Sequence, residues 1–213
     1  MPARFELHGI ALSGPTYKAA LMLALSGEAF DYVHVPLREG AHKQPAYLAK
    51  QRYGQVPLLI DRNNGRHLCQ SAAILEYLSD TLGKFGGSTL EERLQAREWL
   101  YWDFDRLAPS VYRTRAAKRG IRQFAPEVLE MYAAEAAAAL KVLDGHLAGR
   151  SWIVGESLTI ADIDIFGVLA FAGEAEIDLS PYPHVSAWLA RMEALPGVKL
   201  PQNFLPMESK VAA

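Results

Sequence analysis

The segment Tyr53–Leu78 has the residue types and spacing of a surface that binds a small peptide. It begins with a valine-proline pair that can turn the chain into a strand. It continues through an Asn-Gly hairpin signal and ends in an amphipathic helix, for which Ser71 suits the N-cap. Backbone hydrogen-bonding groups and a helix N-terminus would then meet at one edge of a sheet. Because a helix N-terminus stabilises negative charge, this pattern favours a peptide ligand with free carboxylates.

The elements that must position this segment alternate between strand and helix over the first third of the chain. This order favours a parallel strand-helix-strand crossover, followed by a hairpin. The predicted strands are Phe5–His8, Phe30–Val35, Leu58–Asp61 and His67–Cys69, and the predicted helices run from Pro15 to about Gly27, from Gln44 to Gln51 and from Ser71 to about Gly83.

Beyond the glycine-rich residues 84–88, hydrophobic spacing predicts only helices. The first should run to about Lys118 with a distortion at Pro109, because proline lacks an N–H. Thr159 and Asp162 fit a capping box, which accounts for both residues as structural. The sequence therefore predicts an α/β domain over residues 1–83, a linker over 84–88 and an all-α helical domain over 89–213, with helices over Pro126–Leu147, after Thr159 and over Pro183–Leu195.

Composition and charge argue against several classes of protein. The formal net charge is −2, whereas a general nucleic-acid binder normally shows a strongly basic face. The longest apolar run, 165–173, is far shorter than the roughly 20 residues that span a bilayer. Cys69 is the only cysteine, which leaves no intrachain disulfide and favours a reducing compartment. We therefore expect a cytoplasmic protein without nucleic-acid or membrane partners and, because its histidines lack ligand spacing, without a metal.

Several short motifs occur in a fixed order along nearly the whole chain. They are Leu12-Ser13-Gly14-Pro15, Gly54-Gln55-Val56-Pro57, Gln70-Ser71, Leu158-Thr159-Ile160-Ala161-Asp162, and Tyr182-Pro183-His184-Val185 with Trp188-Leu189 and Pro196-Gly197-Val198. Each motif alone is weak evidence for a family. Together and in this order, the motifs resemble those of the cytosolic glutathione transferases. The resemblance implies a thioredoxin-like N-terminal domain followed by an all-α helical domain.

Departures from the family pattern narrow the resemblance to the serine-type members. No tyrosine stands near residue 8 and no cysteine stands at the first helix, while Gln51-Arg52 replaces the Asn-Pro of many members. The resemblance makes Ser13 the catalytic residue, whose hydroxyl stabilises the glutathione thiolate. A thiol with a pKa of about 8.5 is only about 3% ionised at pH 7, and lowering the pKa by about 2 units raises this to about 75%. A purely structural alternative stays open, in which Ser13 only caps the first helix.

The resemblance also assigns a glutathione-binding set in the first domain. It implies a cis bond before Pro57, which leaves the Val56 backbone free to pair with the peptide. Ser71 would bind the γ-glutamyl carboxylate or serve only as a cap, and Lys43 would bind the glycyl carboxylate or lie in a solvated loop. The full predicted set is His42, Lys43, Gln55, Val56, Pro57, Gln70 and Ser71.

The second substrate should contact the helical domain. The candidate residues for this electrophile pocket are Tyr101, Trp102, Arg106 and Tyr112. The resemblance implies a homodimeric detoxification enzyme that conjugates the thiolate of its cosubstrate glutathione to a small hydrophobic electrophile held between the two domains. Two alternatives remain: a glutathione-dependent peroxidase or disulfide reductase, and a non-catalytic glutathione-binding or interaction module.

Overall fold

Two units divide the chain, each with its own buried core. The computed structural model describes residues 2–207. The first unit contains residues 2–83 together with 196–207, and the second contains residues 84–195.

The C-terminal segment differs from its predicted place. The sequence assigns everything from residue 89 to the C-terminus to the helical domain, but residues 196–207 pack with the first unit. The Tyr17 hydroxyl donates to the Lys199 carbonyl at 3.0 Å, and the Tyr17 and Phe204 rings meet edge-on at 5.7 Å between centroids. Contacts between such distant positions leave no periodic pattern in the sequence, which is why the predicted boundary differs. Residues 208–213 lie outside the described part of the chain.

A four-stranded sheet organises the first unit. Its strands are β1 (Phe5–Gly9), β2 (Phe30–His34), β3 (Leu58–Asp61) and β4 (Arg66–Cys69). They lie in the order β2-β1-β3-β4, with β1 parallel to β2 and the other neighbours antiparallel. The predicted parallel crossover and the predicted hairpin are both confirmed.

Three helices accompany this sheet: α1 (Gly14–Leu25), α2 (Pro45–Leu48) and α3 (Ser71–Leu82). Along β1, Phe5 and Leu7 are fully buried while Glu6 and His8 are only partly so, as the two-residue period of a strand requires. Helix α1 packs against α3. Gly83 ends α3 with a φ of 65°, a left-handed conformation that favours glycine.

The second unit is built from helices. They are α4 (Leu90–Trp102), α5 (Ala108–Lys118), α6 (Pro126–Leu147), α7 (Ile160–Leu169) and α8 (Pro183–Glu193). Helix α7 is buried along its whole length, which accounts for its uniformly apolar sequence. At the start of α7, the Ile160 amide donates to the Phe85 carbonyl at 2.8 Å. This bond attaches the predicted linker, residues 84–88, to the second unit. Among residues 2–207, no helix is both long and apolar enough to cross a membrane.

The predicted long helix is distorted before its proline rather than at it. A π-helical turn, Asp103–Leu107, separates α4 from α5. Pro109 has no N–H to donate to the Asp105 carbonyl, so the regular hydrogen-bond ladder cannot continue there. The Ala108 amide instead donates to the Asp103 carbonyl, five residues earlier. The missing donor therefore displaces the distortion by several residues toward the N-terminus.

Asp162 anchors the core of the second unit. Its carboxylate is fully buried and accepts bonds from the Ile153 amide at 2.9 Å, the Thr159 amide at 2.9 Å and the Thr159 hydroxyl at 3.1 Å. The Trp188 indole donates a further bond at 2.9 Å. A buried carboxylate is tolerated only when it is hydrogen-bonded, which these four bonds ensure. The same bonds join the start of α7 to α8.

Asp61 plays the corresponding part in the first unit. Its side chain is fully buried and accepts bonds from the Arg4 guanidinium at 2.7 Å, the Tyr77 hydroxyl at 2.8 Å and the Asn63 amide at 3.0 Å. Burial by itself raises the pKa of Asp61, but the bonds from Arg4, Tyr77 and Asn63 outweigh it and lower the pKa overall. The ionised carboxylate therefore stabilises the fold.

We expect Asp61→Asn to destabilise the first unit by about 1–3 kcal/mol at pH 7, because the charge-assisted bonds are lost. With a folded pKa below the unfolded value of about 3.9, the stabilisation is present above about pH 4 and is lost as the pH falls further. Urea denaturation between pH 7 and pH 3 measures both effects. Asp80→Asn, which alters an exposed carboxylate on α3, is the control. Equal effects of the two substitutions at pH 7 would contradict this role of Asp61.

Candidate functional site

One edge of the sheet brings together the end of β1, the start of β3 and the end of β4. His8 pairs with Leu58, and Leu58 pairs with Cys69, in antiparallel register. Val56 lies two residues before the start of β3 at this edge. Helix α1 begins at Gly14, five residues after β1, and helix α3 begins at Ser71, two residues after β4, so both helices start from the same edge of the sheet. We call Ser13, Gln55, Val56, Gln70 and Ser71 the site edge.

Val56 presents an unpaired backbone. The Val56–Pro57 peptide bond is cis, Pro57 is buried and Val56 is half-buried. Within residues 2–207, neither the amide nor the carbonyl of Val56 has a hydrogen-bond partner. An extended peptide can therefore pair with Val56 as an added strand would.

Ser71 is not the N-cap that the sequence predicts. Helix α3 begins at Ser71, and Gln70 takes the N-cap position with φ 71° and ψ 121°. An N-cap residue needs a non-helical backbone, and Gln70 provides it while Ser71 is already helical. The Gln70 side chain donates to the Gln55 side chain at 3.3 Å and makes no cap bond. The first amides of α3 are thus left for an external anion.

Ser13 is the N-cap of α1, as the structural interpretation predicts. Its backbone is extended at φ −90° and ψ 119°, and its hydroxyl oxygen accepts the Thr16 amide at 3.3 Å. This bond uses an acceptor lone pair and leaves the hydroxyl proton to donate elsewhere. No acceptor for that proton occurs in the described part of the chain. Capping and donation to a ligand are therefore compatible.

The neighbouring hydroxyls cannot replace Ser13. Thr16 and Tyr17 are both fully buried in the first turn of α1, and the Tyr17 hydroxyl is taken by the Lys199 carbonyl. Ser13 is half-buried and so remains accessible. Burial raises the pKa of the Cys69 thiol, which keeps the chain's only cysteine protonated. A reactive thiolate at this edge would have to belong to a ligand.

Lys43 lies beside the site edge, and its ammonium group already has a hydrogen-bond partner within the protein. The Lys43 ammonium donates to the Gly54 carbonyl at 2.9 Å, just before Gln55 in the chain. An ammonium has three protons, so two stay available for a carboxylate. His42 is half-buried, and its Nδ1 has no partner among residues 2–207. No hydrogen bond, ion pair or ring contact within residues 2–207 joins the His42 ring to the site edge.

Tyr47 and Gln51 are two residues that sequence reasoning missed. The Tyr47 hydroxyl donates to the Gln55 carbonyl at 2.8 Å, and burial raises the pKa of Tyr47, so the hydroxyl keeps its proton. The Gln51 side-chain oxygen accepts the Tyr53 amide at 2.9 Å and the Gln55 amide at 3.2 Å. The only signal in the sequence is that Gln51 stands where the family pattern has asparagine.

The four predicted pocket residues lie in different surroundings within the second unit. Tyr101 is 67% exposed, and Arg106 is exposed and pairs with Asp105 at 2.8 Å. Trp102 is half-buried against Trp99, with ring centroids 4.9 Å apart. The remaining residue, Tyr112, donates its hydroxyl to the Gly167 carbonyl at 3.0 Å. Trp102 and Tyr112 thus contribute to packing as well.

The described residues contain no cluster of three or more His, Cys, Asp or Glu side chains that could hold a metal ion. The site edge itself consists of hydroxyl, side-chain amide and backbone groups. These groups bind anions and stabilise a thiolate by hydrogen bonding.

Known proteins resemble this chain in sequence. The chain matches the glutathione S-transferase N-terminal domain over residues 6–80 and the glutathione S-transferase C-terminal domain over residues 120–196. It is 31% identical to glutathione S-transferase GST-4.5 of Xanthomonas campestris, over 71% of this chain and 76% of that protein. It is 27% identical to the disulfide-bond oxidoreductase YfcG of Escherichia coli, over 84% and 86%.

A solved structure shows the same architecture. The glutathione S-transferase of Xanthobacter autotrophicus superposes with a TM-score of 0.85 at 33% identity, covering 92% of this chain and 96% of that one. The predicted fold class, a thioredoxin-like α/β domain followed by a helical domain, is confirmed.

The position of Ser71 inside α3 yields a stability test. Because Ser71 is not the N-cap, Ser71→Ala should change the free energy of unfolding by less than about 0.5 kcal/mol. Thr89→Ala is the matched comparison, since the Thr89 hydroxyl caps α4 by accepting the Glu92 amide at 3.1 Å. That substitution should cost about 1 kcal/mol. Urea denaturation measures both, and a cost for Ser71→Ala as large as that for Thr89→Ala would return Ser71 to the role of a cap.

Proposed function

Because the chain belongs to the glutathione S-transferase family, we propose that it binds glutathione at the site edge and transfers the glutathione thiolate to a small hydrophobic electrophile. The main support for this proposal is the Ser13 hydroxyl at the N-terminus of α1. Its proton has no acceptor within residues 2–207 and can therefore be donated to a ligand. Ser13 follows the end of β1 by four residues, at the edge of the sheet from which Val56 leads into β3. The backbone of Val56 has no hydrogen-bond partner within residues 2–207.

Glutathione would bind as a short strand. Its cysteinyl backbone pairs with the amide and carbonyl of Val56, which have no partner within residues 2–207. The buried Pro57 and the strand β3 behind it hold this backbone in place. Pairing of this kind gives affinity from main-chain bonds and fixes the direction of the peptide.

The two carboxylates of glutathione would lie at opposite ends of this strand. The γ-glutamyl carboxylate fits the N-terminus of α3, where the Ser71 amide and hydroxyl are available, and Gln70 contacts the amino group. The glycyl carboxylate fits the Lys43 ammonium, with His42 as a neighbouring donor. Gln55 joins these regions through its side-chain contact with Gln70.

Ser13 would then act on the sulfur. A hydroxyl that donates to the thiolate at a positive helix terminus lowers the pKa of the bound thiol. A reduction of about 2 units raises the thiolate fraction at pH 7 roughly 25-fold, which corresponds to about 2.7 kcal/mol. Ser13 keeps its own proton throughout, and proximity of the bound electrophile supplies the rest of the acceleration.

We expect Ser13→Ala to lower turnover roughly 25-fold at pH 7 with saturating glutathione, because the thiolate loses its donor. The loss of the cap should reduce stability by about 1 kcal/mol without preventing folding. The matched control is Thr16→Val, which removes a buried hydroxyl that has no hydrogen-bond partner in the described residues. A chloronitroaromatic assay measures conjugation, and unchanged turnover in Ser13→Ala would leave this residue with a capping role only.

A second candidate function is reduction of disulfides or peroxides with glutathione. It is favoured by the similarity to a disulfide-bond oxidoreductase, and it would use the same Ser13-stabilised thiolate. The reaction partner distinguishes the two functions. Activity with a glutathione mixed disulfide or cumene hydroperoxide, in the absence of activity with chloronitroaromatics, would favour reduction. Inactivity with all three, combined with glutathione binding, would indicate a non-catalytic binding module.

We also propose that the electrophile is bound by residues of the helical unit. A role in detoxification and a cytoplasmic location belong to the same proposal. Of the four predicted pocket residues, Tyr101 and Arg106 have the exposure to meet a ligand, and Tyr101 offers an aromatic surface for an apolar one. A single cysteine and the absence of a disulfide framework agree with a reducing compartment.

An exposed apolar stripe on the second unit supports the proposed homodimer. Leu90 and Leu94 lie one turn apart on the same face of α4, and Phe104 follows in the π-helical turn, with exposures of 64%, 46% and 72%. Large apolar side chains repeated on one helix face are typical of a surface that another chain covers. A second copy of this chain is the occupant that we propose.

Sedimentation velocity at micromolar concentration should show a dimer. We expect Leu94→Glu to shift the protein to the monomer, because the association would bury an unpaired charge. Exposed Val142, which lies on α6 at 54% exposure, provides the control substitution Val142→Glu. A wild-type protein that sediments only as a monomer would contradict the dimer, and a dimeric Leu94→Glu would place the interface elsewhere.

A further inference from the structure

The residues that lead into Val56 are held by side chains rather than by the sheet. The Tyr47 hydroxyl binds the Gln55 carbonyl at 2.8 Å. The Gln51 side-chain oxygen binds the amides of Tyr53 at 2.9 Å and Gln55 at 3.2 Å. Gln55 therefore has both of its backbone groups fixed immediately before Val56.

Gln51 has the burial of a structural support. Gln51 is 1% exposed, and its backbone amide donates to the Tyr47 carbonyl at 2.8 Å. A buried amide side chain is tolerated only when its polar groups are bonded. Gln51 thus joins the end of α2 to the segment Tyr53–Gln55 in one connected network.

Lys43 completes the restraint of this segment from a separate element. Its ammonium binds the Gly54 carbonyl, and Gly54 has a φ of +57°. A Cβ added at Gly54 would meet the Lys43 Nζ at 2.9 Å and the His42 carbonyl oxygen at 3.1 Å. The chain is therefore tightly enclosed at Gly54 as well as bonded on either side of it.

The contrast with Val56 indicates what the network does. The backbone groups of Gln55 and the carbonyl of Gly54 are bonded within the protein, whereas those of Val56 have no partner within residues 2–207. A bound peptide gains most when the strand it joins is already ordered, because less conformational entropy is then lost on binding. The restrained segment supplies such an ordered strand.

We propose that Gln51 and Tyr47 are positioning residues that hold Gln55 so that the Val56 amide and carbonyl are pre-ordered for the backbone of the peptide. This inference rests on the proposed function, because glutathione is the peptide that tests it. Neither residue acts on the sulfur. Both therefore affect the affinity for glutathione and leave the chemical step unchanged.

Three variants separate positioning from general stability. Gln51→Met keeps the length and approximate volume of the side chain but removes the acceptor. Gln51→Glu keeps an acceptor oxygen, and Tyr47→Phe removes only the hydroxyl. The matched control is Asn64→Ala in the turn between β3 and β4, where the Asn64 side chain accepts the Arg66 amide at 3.0 Å and donates to the Tyr77 hydroxyl at 2.9 Å. This control also removes a side-chain bond to the backbone of the first unit.

Calorimetric titration with glutathione and steady-state assays at varied glutathione concentration give the result. We expect the dissociation constant and KM for glutathione to rise about tenfold in Gln51→Met and about threefold in Tyr47→Phe. The kcat at saturating glutathione should stay within about twofold of wild type in both. Gln51→Glu should restore most of the affinity, and Asn64→Ala should leave it unchanged.

Each outcome bears on the inference in a distinct way. If wild type binds glutathione and Tyr47→Phe and Gln51→Met bind it equally well, the inference is overturned and the proposed function stands. If kcat falls while the dissociation constant is unchanged, the residues act on chemistry and the inference is also overturned. Wild type that does not bind glutathione overturns both. Should Gln51→Met fail to fold, Tyr47→Phe decides.

Discussion

The antiparallel pairing of β3 with β1 and with β4 is the constraint that sets the candidate site. The pairs His8–Leu58 and Leu58–Cys69 bring the ends of β1 and β4 beside the start of β3. Helices α1 and α3 follow β1 and β4 in the chain, so both begin from this edge of the sheet. A slip of one residue would exchange the two faces of β3 and move Val56 away from this position. The buried carboxylate of Asp61 opposes such a slip, since it would lose the bonds that it accepts from Arg4 and Tyr77.

Binding and chemistry are divided among different kinds of groups at this edge. Under the proposed function, the backbone of Val56 and the first amides of α3 would bind the peptide, while the Ser13 hydroxyl would donate to its sulfur atom. Tyr47, in α2, and Gln51, which follows α2, would not contact the ligand but restrain the backbone just before Val56. Such an arrangement would separate affinity from reactivity, so that each could be altered independently.

Much of the fold could be predicted from the sequence because its signals are local. Strand Leu58–Asp61 and helix Pro126–Leu147 have the predicted bounds, since turn residues and proline mark their ends. The N-cap of α3 could not be predicted, because Gln70 adopts a positive φ that glutamine rarely takes without tertiary support. The role of Gln51 was equally hidden, because its partners are backbone amides whose positions depend on the completed turn.

If Ser13 stabilises the thiolate of bound glutathione as we propose, the pKa of that thiol must be lowered in the complex. The ultraviolet absorbance of the thiolate, followed against pH in the complex with wild-type protein, reports this pKa. In the wild-type complex the thiol should titrate about 2 units below the value of about 8.5 for a free thiol, and Ser13→Ala should restore most of that difference. A bound thiol that titrates at its free value in the wild-type complex would show that Ser13 does not stabilise the thiolate.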